Sequence, residues 1–536
     1  MSATAETFAA PGRRGVGGLT LLALALCLPS LIPLLSATVA LFNPDPATLS
    51  HLWQFTLPRV AGNTFWLLLG VGFCTAVLGT ALAALVALTE FPGRALLRWA
   101  LVLPLALPGY VLAVAFIGLF DYSGSFATGL RELGLALPEI RSRGGVIAVL
   151  SLALYPYVYL VALDAFGSQG ARALEAARAL GMSPRRAFLR ASLPLARPFI
   201  AGGVLLVLME TLADFGTVAA FNYDTFTSAI YSAWFAMFSP DTALQIAAVM
   251  LLAVALLVGL EARSRRRQSF ARLGAPVQQR LPLGRGRWLA TAFCGGVLGL
   301  AFLLPVARLL YVASSHLDEL DARYFEFIGN GFALSAMAAA LTVAAALVLA
   351  LAAREQPGFL SRLAQRLGTL GYGLPGALLA IGLYVPLTRA TGWLLDRLQI
   401  EMALSGGLAL LLLAYGVRFT AVAHAPVAGA LMRIRESQLE AAALLGVRGL
   451  RRLQQLHWPL LRGGLATAAL LVFVDVMKEM PITLMMRPFG WNTLATRVFE
   501  LTNEGEWRRA ALPALSIVAV GLIPVLLLLR RGRDAT

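Results

Sequence analysis

The chain has 536 residues, 59% of them hydrophobic and only 13% charged, with a formal net charge of +16. A soluble domain keeps roughly 25% charged residues, so the composition excludes an ordinary water-soluble globular protein. The basic balance is sorted loop by loop, which excludes nucleic acid as the reason for it.

Windows of about 20 residues without a charge are candidate membrane spans, because a helix of that length crosses a hydrocarbon core of about 30 Å. In chain order they fall at 19–41, 63–89, 99–120, 144–163, 242–260, 288–307, 330–353, 367–388 and 510–529. Apolar windows near 199–220, 404–424 and 463–486 carry ionisable residues as well. The expected fold is an all-α integral membrane protein of about twelve helices, since barrel strands would be about ten residues long with alternating polarity. Leu19 to Leu41, preceded by Arg13 and Arg14, is longer than the apolar core of a cleaved signal and is expected to be a retained first helix. Cys27, Cys74 and Cys294 all lie in apolar windows and have no metal-ligand spacing.

Arginines crowd into alternate loops: Arg94 and Arg98, Arg172 to Arg197, Arg263 to Arg287, Arg354 to Arg366, Arg433 to Arg462, and Arg530 to Arg533. The loops between them carry Asp45, Asp121, Asp224, Asp318, Glu319, Asp321, Glu401, Glu504 and Glu506. Positive charge gathers on the cytoplasmic side. Both termini, and the segment 175–194, are therefore expected in the cytoplasm.

Sliding the sequence against itself by 265 residues aligns Glu175-Ala176-Ala177 with Glu440-Ala441-Ala442, Gly181 with Gly446, Arg186 with Arg451, Pro194 with Pro459 and Arg197 with Arg462. Leu107-Pro108-Gly109 matches Leu374-Pro375-Gly376 with a two-residue change of offset. Chance similarity of Leu/Ala-rich helices would match common residues, whereas these are Glu, Gly, Pro and Arg. The organisation expected is an N-terminal segment 1–18, a six-helix domain 19–260, a basic linker 261–287 and a second six-helix domain 288–530. The two would be parallel repeats with a pathway at their interface.

The segment 175–194 reads as two short helices. EAARAL favours helix, Gly181 breaks it, Ser183-Pro184 offers a cap for the next helix, and Pro194 ends the loop before the following span. In the second copy Gly446 and Gly449 bracket the turn. A small, polar, glycine-elbowed projection suits docking into a groove on another protein.

Both loops resemble the signature of permease subunits of bacterial ATP-binding-cassette importers. The resemblance rests on Glu175, Ala176, Ala177, Gly181 and Pro194, within 171–197, and on Glu440, Ala441, Ala442, Gly446 and Pro459, within 436–462. The second copy has Trp458 where the signature has Leu. The resemblance implies that each loop couples to one copy of a separate ATPase subunit, which would hold ATP and magnesium while this chain binds no cofactor. The residues agree: the single lysine, Lys478 in VDVMKEM, cannot complete a G-x-x-x-x-G-K-[ST] phosphate loop. His51, His316, His424 and His457 are scattered, and no nucleophile triad or HExxH motif occurs.

Four carboxylates follow the coupling loops. Glu210 and Asp214 are four residues apart, as are Asp475 and Glu479 at the same offset of 265, and each pair is expected on one helix face. Ionised groups at mid-membrane cost about 2.5–3.5 kcal/mol and usually face a bundle interior or a water-filled cavity. They are candidates for the translocation pathway. An internal scaffold neutralised by Lys478 is the alternative. As pathway ligands, hard oxygens suit a hard cation or a cationic substrate better than an anion, and no metal site is assigned.

The surrounding stretches resemble ferric-iron importer permeases: Ala213 to Val218, Asp224 to Thr227, Lys478 to Thr483, Arg487 to Ala495 and Tyr415 to Phe419. That resemblance implies Fe(III) delivered by a periplasmic binding protein to a Gram-negative inner membrane. Related fused permeases handle thiamine, and more distant ones sulfate or molybdate. From other classes, the rivals are a twelve-helix secondary transporter, which has no use for a repeated docking loop, a channel, and a membrane scaffold or receptor.

Overall fold

Backbone groups in hydrocarbon have no water to bond, so a spanning segment must satisfy them internally and folds as helix. The computed structural model describes residues 17–268, 280–398 and 407–533, apart from residues 123, 136, 137 and 448. Among the described residues, the helices long and apolar enough to cross a bilayer are Gly18–Phe42, Pro46–Leu88, Arg143–Ala179, Pro184–Ala213, Pro240–Ser264, Gly284–Ala313, Ala322–Glu355, Gly376–Leu394, Leu408–Leu431 and Leu453–Lys478. The shorter apolar helix Ala511–Leu526 corresponds to the last sequence window. The expected all-α membrane fold is what the chain adopts. Arg13, Arg14, Glu401 and residues 269–279 of the basic linker lie outside the described residues.

Two of the charge-free windows break at a Leu-Pro-Gly triplet, for the same reason. The window 99–120 is a broken pair, Arg94–Ala106 and Gly109–Phe120, bent by 93°. Leu107 precedes Pro108 and takes an extended backbone, because a proline ring disfavours helix in the residue before it. The helix Gly109–Phe120 is buried from Tyr110 through Ile117, so it is core and not a lipid-facing rod. The window 367–388 likewise breaks before Pro375, and the helix there starts at Gly376.

Wide π-helical turns precede other prolines: Leu52–Thr56 before Pro58, Phe188–Ser192 before Pro194, Gly299–Leu303 before Pro305 and Leu453–His457 before Pro459. A proline inside a helix lacks an N–H and collides with the carbonyl four residues back. The wider turn relieves that clash without ending the helix.

By packing, the chain divides into two units. One contains the described residues of Met1–Ile32 with Ala336–Tyr372 and Tyr415–Val472; the other contains Pro33–Ser335, Gly373–Ala414 and Phe473–Thr536. In the first, Ala23, Cys27, Leu349, Ala352 and Ala364 form a buried cluster, and Gln356 accepts from the Thr20 amide at 3.0 Å and hydroxyl at 2.7 Å. In the second, helix Arg143–Ala165 packs against both Leu57–Leu88 and Leu193–Ala213. The basic linker begins as a continuation of helix Pro240–Gln268, and Leu281–Pro282 pairs in parallel with Thr89–Glu90.

Small residues let membrane helices approach closely, and Val158 is held between two of them. A Cβ added at Gly79 would lie 2.8 Å from Val158 Cβ, and one at Gly203 would lie 3.0 Å from Val158 Cα. Gly203→Leu should therefore lower thermal stability in detergent by about 1–3 kcal/mol, the usual cost of overpacking. Gly62→Leu, where nothing lies within 4 Å of the added Cβ, should leave the melting temperature unchanged.

Candidate coupling loops and intramembrane carboxylates

The two loops share one backbone design. Helix Ala171–Ala179 ends with Gly181 at φ +84°, and helix Glu436–Leu444 ends with Gly446 at φ +75°. Met182 N–H donates to the Ala177 carbonyl at 3.1 Å and Gly181 N–H to Arg178 at 2.9 Å; Val447 donates to Ala442 at 2.8 Å and Gly446 to Ala443 at 3.1 Å. That pair of bonds is a Schellman closure, which a left-handed glycine makes possible. Gly449 also has a positive φ, +54°.

The closures lift apolar tips into the open. Leu180 is 82% exposed, and Leu445, which stands 265 residues later, is 80% exposed beside Leu444 at 90%. Glu175, Ala176, Gly181, Glu440, Ala441, Gly446 and Pro459 are exposed, Ala442 and Pro194 are half-buried, and Ala177 is buried. Ser183 takes the N-cap position with Pro184 behind it, but its side chain makes no capping hydrogen bond. Nor do Pro194 and Pro459 end the loops. The π turns let helices run from Pro184 to Ala213 and from Leu453 to Lys478, so each loop's second arm is the start of the next span.

The second loop is tied at both shoulders. Arg354 donates to the carbonyls of Leu431 and Ile434 at its entry. Glu355 pairs with Arg452 at 2.5 Å on the exit side, and buried His457 Nε2 stands 3.5 Å from the same carboxylate. At the corresponding places the first copy has Glu90, Ala187 and Ser192. Glu90 there turns to Arg94 at 3.3 Å and Arg280 at 3.5 Å. The first loop is seated by burial of Leu174 and Ala177 instead.

The carboxylate pairs do not share helix faces. Helix Leu193–Ala213 ends one residue before Asp214, whose backbone is extended, and helix Trp458–Lys478 ends one residue before Glu479. The physical reason is that each carboxylate caps the short helix after the break. Asp214 accepts from Thr217 Oγ1 at 2.8 Å and from Val218 N–H at 3.1 Å. Glu479, 7% exposed, accepts from the N–H groups of Ile482 and Thr483 at 3.0 Å each, and from Thr483 Oγ1 at 2.9 Å. An anion at a helix N-terminus meets unpaired donors and the positive end of the helix dipole.

Glu210 and Asp475 stand on the long helices before the breaks. Both lie within electrostatic reach of the Tyr157 hydroxyl, although they belong to different copies. Lys478 Nζ stands 3.6 Å from Asp475. Among the described residues no group of three or more His, Cys, Asp or Glu side chains is gathered as a metal ion would require.

The Leu-Pro-Gly triplets, isolated in the sequence, meet these caps. Helix Gly109–Phe120 packs on Gly216–Ala220, and helix Gly376–Leu398 on Pro481–Met486. A Cβ at Gly109 would lie 2.4 Å from Thr217 Oγ1 and 3.3 Å from Asp214 Oδ2. Sequence reasoning also missed a pair of asparagine latches: Asn63 donates to the Asp224 carbonyl at 3.0 Å, and Asn330 to Gly490 at 2.9 Å and Asn492 at 3.2 Å. For the caps, the signal available was the acid followed three or four residues later by threonine, Asp214/Thr217 and Glu479/Thr483.

If Glu479 is a cap, Glu479→Leu strands two buried N–H groups, each costing about 1–3 kcal/mol, and thermal unfolding in detergent should move down accordingly. Ile482 N–H and Thr483 N–H go to different oxygens of the carboxylate, so Glu479→Gln keeps one acceptor of the two and should melt between Glu479→Leu and wild type. Equal melting of Glu479→Leu and wild type would remove the capping role.

Comparison with known proteins bears on both halves. The family of binding-protein-dependent transport system inner membrane components matches residues 76–267 and again 342–532. The Fe(3+)-transport system permease protein FbpB 2 of Haemophilus influenzae is 28% identical over 520 residues, 95% of this chain and 96% of that protein. The thiamine transport system permease protein ThiP of Brucella abortus is 26% identical over 77% of this chain and 75% of its own length. The sulfate transport system permease protein CysT of Escherichia coli is 27% identical over 39% of this chain and 77% of its own length. Two matches of one family model, covering most of a multi-pass helical chain and each containing one glycine-closed loop, place it: this chain belongs to the binding-protein-dependent transport system inner membrane components, as a permease of two fused halves.

Proposed function

We propose that the chain is the translocation subunit of an importer that carries Fe(III) into the cytoplasm, delivered by a periplasmic binding protein. The observation that supports this reading best is end-to-end similarity to a ferric permease, 95% of one chain against 96% of the other. Thiamine is the second reading, supported by a match over 77% of the chain. In this account residues 19–260 and 288–530 are the two repeats, the arginine-rich loops and both termini face the cytoplasm of a bacterial inner membrane, and the arginine-poor loops meet the binding protein.

The chain carries out no hydrolysis in this account. Two copies of a separate ATPase subunit bind ATP and magnesium, and one copy seats on each of the loops 171–197 and 436–462. Glu175 and Glu440 lie on the docking surface beside Ala176, Ala441 and Ala442, while buried Ala177 holds the first loop from behind. Gly181 and Gly446 set the elbow, with Leu180 and Leu445 as the apolar tips, and Pro194 and Pro459 join each loop to a span. Closure of the ATPase pair would move the spans as levers. Asp214 and Glu479 hold the helix breaks in this scheme, while Glu210 and Asp475 face the passing cargo.

ATP hydrolysis in proteoliposomes containing this chain and its ATPase tests the scheme. Ferric-loaded binding protein should stimulate turnover several-fold over the iron-free form, and Glu175→Arg with Glu440→Arg should abolish the stimulation while the chain melts as before. Stimulation by a thiamine-loaded binding protein instead would move the cargo to thiamine. Unchanged stimulation in the double variant would contradict docking through these loops.

A further inference from the structure

A groove of about 1080 Å³ lies among helices Leu57–Leu88, Leu193–Ala213 and Pro240–Gln268. Its upper wall is apolar and faces outward: Phe73 is 69% exposed and Val77 56%, opposite Ile200 and Val204. One end is different. There it is lined by Arg197 and Arg263 with Ser264 beside them, and both arginines are exposed.

The polarity of the groove identifies its occupant. Arg197 precedes Ile200 by three residues and Val204 by seven on one helix, so the apolar wall runs from about 4.5 Å to about 10 Å along the axis from the arginine at 1.5 Å per residue. Neither arginine has a carboxylate partner among the described residues, whereas Arg94, Arg141, Arg389, Arg452, Arg487 and Arg509 all do. Two guanidinium groups without counter-ions, at one end of an outward-facing hydrocarbon slot, match a phosphate joined to an acyl chain. Arginine forks suit phosphate oxygens, and basic pockets between spans on the cytoplasmic side bind anionic lipid headgroups.

We propose that this groove is a binding site for an anionic phospholipid, with the phosphate between Arg197 and Arg263 and an acyl chain along Phe73, Val77 and Val204. Phe188 and Leu193 form its lower lining, and Phe188 opens the π turn that joins the first coupling loop to its span. A bound lipid therefore braces the first loop's second arm. The second half has Arg462 in place of Arg197 but Leu528 in place of Arg263, so the device belongs to one loop. The assignment to the inner leaflet rests on the proposed topology; the site itself does not.

Native mass spectrometry of the full chain, exchanged into mixed phosphatidylglycerol and phosphatidylcholine micelles, tests this without ATP or cargo. The outcome is thus independent of the importer reading. The wild-type chain should retain phosphatidylglycerol about tenfold or more better than Arg197→Ala with Arg263→Ala, since each basic residue near an anionic headgroup adds to affinity. Val204→Trp, which fills the groove and leaves both arginines, should displace the lipid too. Inorganic phosphate should not compete, because it lacks the chain. Equal phosphatidylglycerol retention by wild type and both variants, equal loss of the two lipids, or displacement by inorganic phosphate would each overturn the proposal.

Discussion

Breaking a helix inside hydrocarbon leaves N–H groups with no water to bond, at several kcal/mol for each one left unsatisfied. This chain breaks two helices after long apolar runs, at Ala213 and at Lys478, and meets the difficulty with a carboxylate each time. Asp214 and Glu479 supply the acceptors that the short helices Gly216–Ala220 and Pro481–Met486 would otherwise lack. A buried charge is costly on its own, but one that accepts two or three hydrogen bonds is far less so. The neighbouring architecture follows: because the chain can turn there, each short helix packs against the helix that starts at a Leu-Pro-Gly triplet. Gly109 is required where that contact closes on Thr217.

Much of this was legible in the sequence, and the reasons are specific. Apolar windows located the spans because hydrophobic length is dictated by the bilayer. The offset of 265 found both loops because a glutamate, a glycine, a proline and two arginines recur there in the same order and spacing, which Leu/Ala-rich helices do not produce by chance. What the sequence concealed was the difference between a carboxylate on a helix and one just beyond its end. Spacing alone put Glu210 and Asp214 on one helix face, yet the helix ends at Ala213 and Asp214 turns to the short helix beyond it, while Glu210 and Asp475 both act on Tyr157. The prolines misled in the opposite direction. Pro194 reads as a stop, but a π turn absorbs its missing donor and the helix continues.

The two loops are alike where they meet the outside and unlike where they are held. Both end in a Schellman closure beside an exposed leucine. Their anchors have diverged. The second is tethered by Arg354, Glu355 and Arg452, and the first by packing of Leu174 and Ala177. In a fused chain the two halves can hold their loops differently while keeping the same exposed tip. Surface ion pairs contribute little, but the Glu355–Arg452 contact is about three-quarters buried on both sides, where such a pair resists being pulled apart.

The central claim is that these two tips seat on ATPase subunits. A photo-reactive phenylalanine analogue placed singly at position 180 and at position 445, in the chain assembled with its ATPase, tests it most directly. The account predicts a cross-link to the ATPase from each position, and a product carrying two ATPase copies when both positions are labelled. Cross-links from neither position, or from one alone, would contradict it.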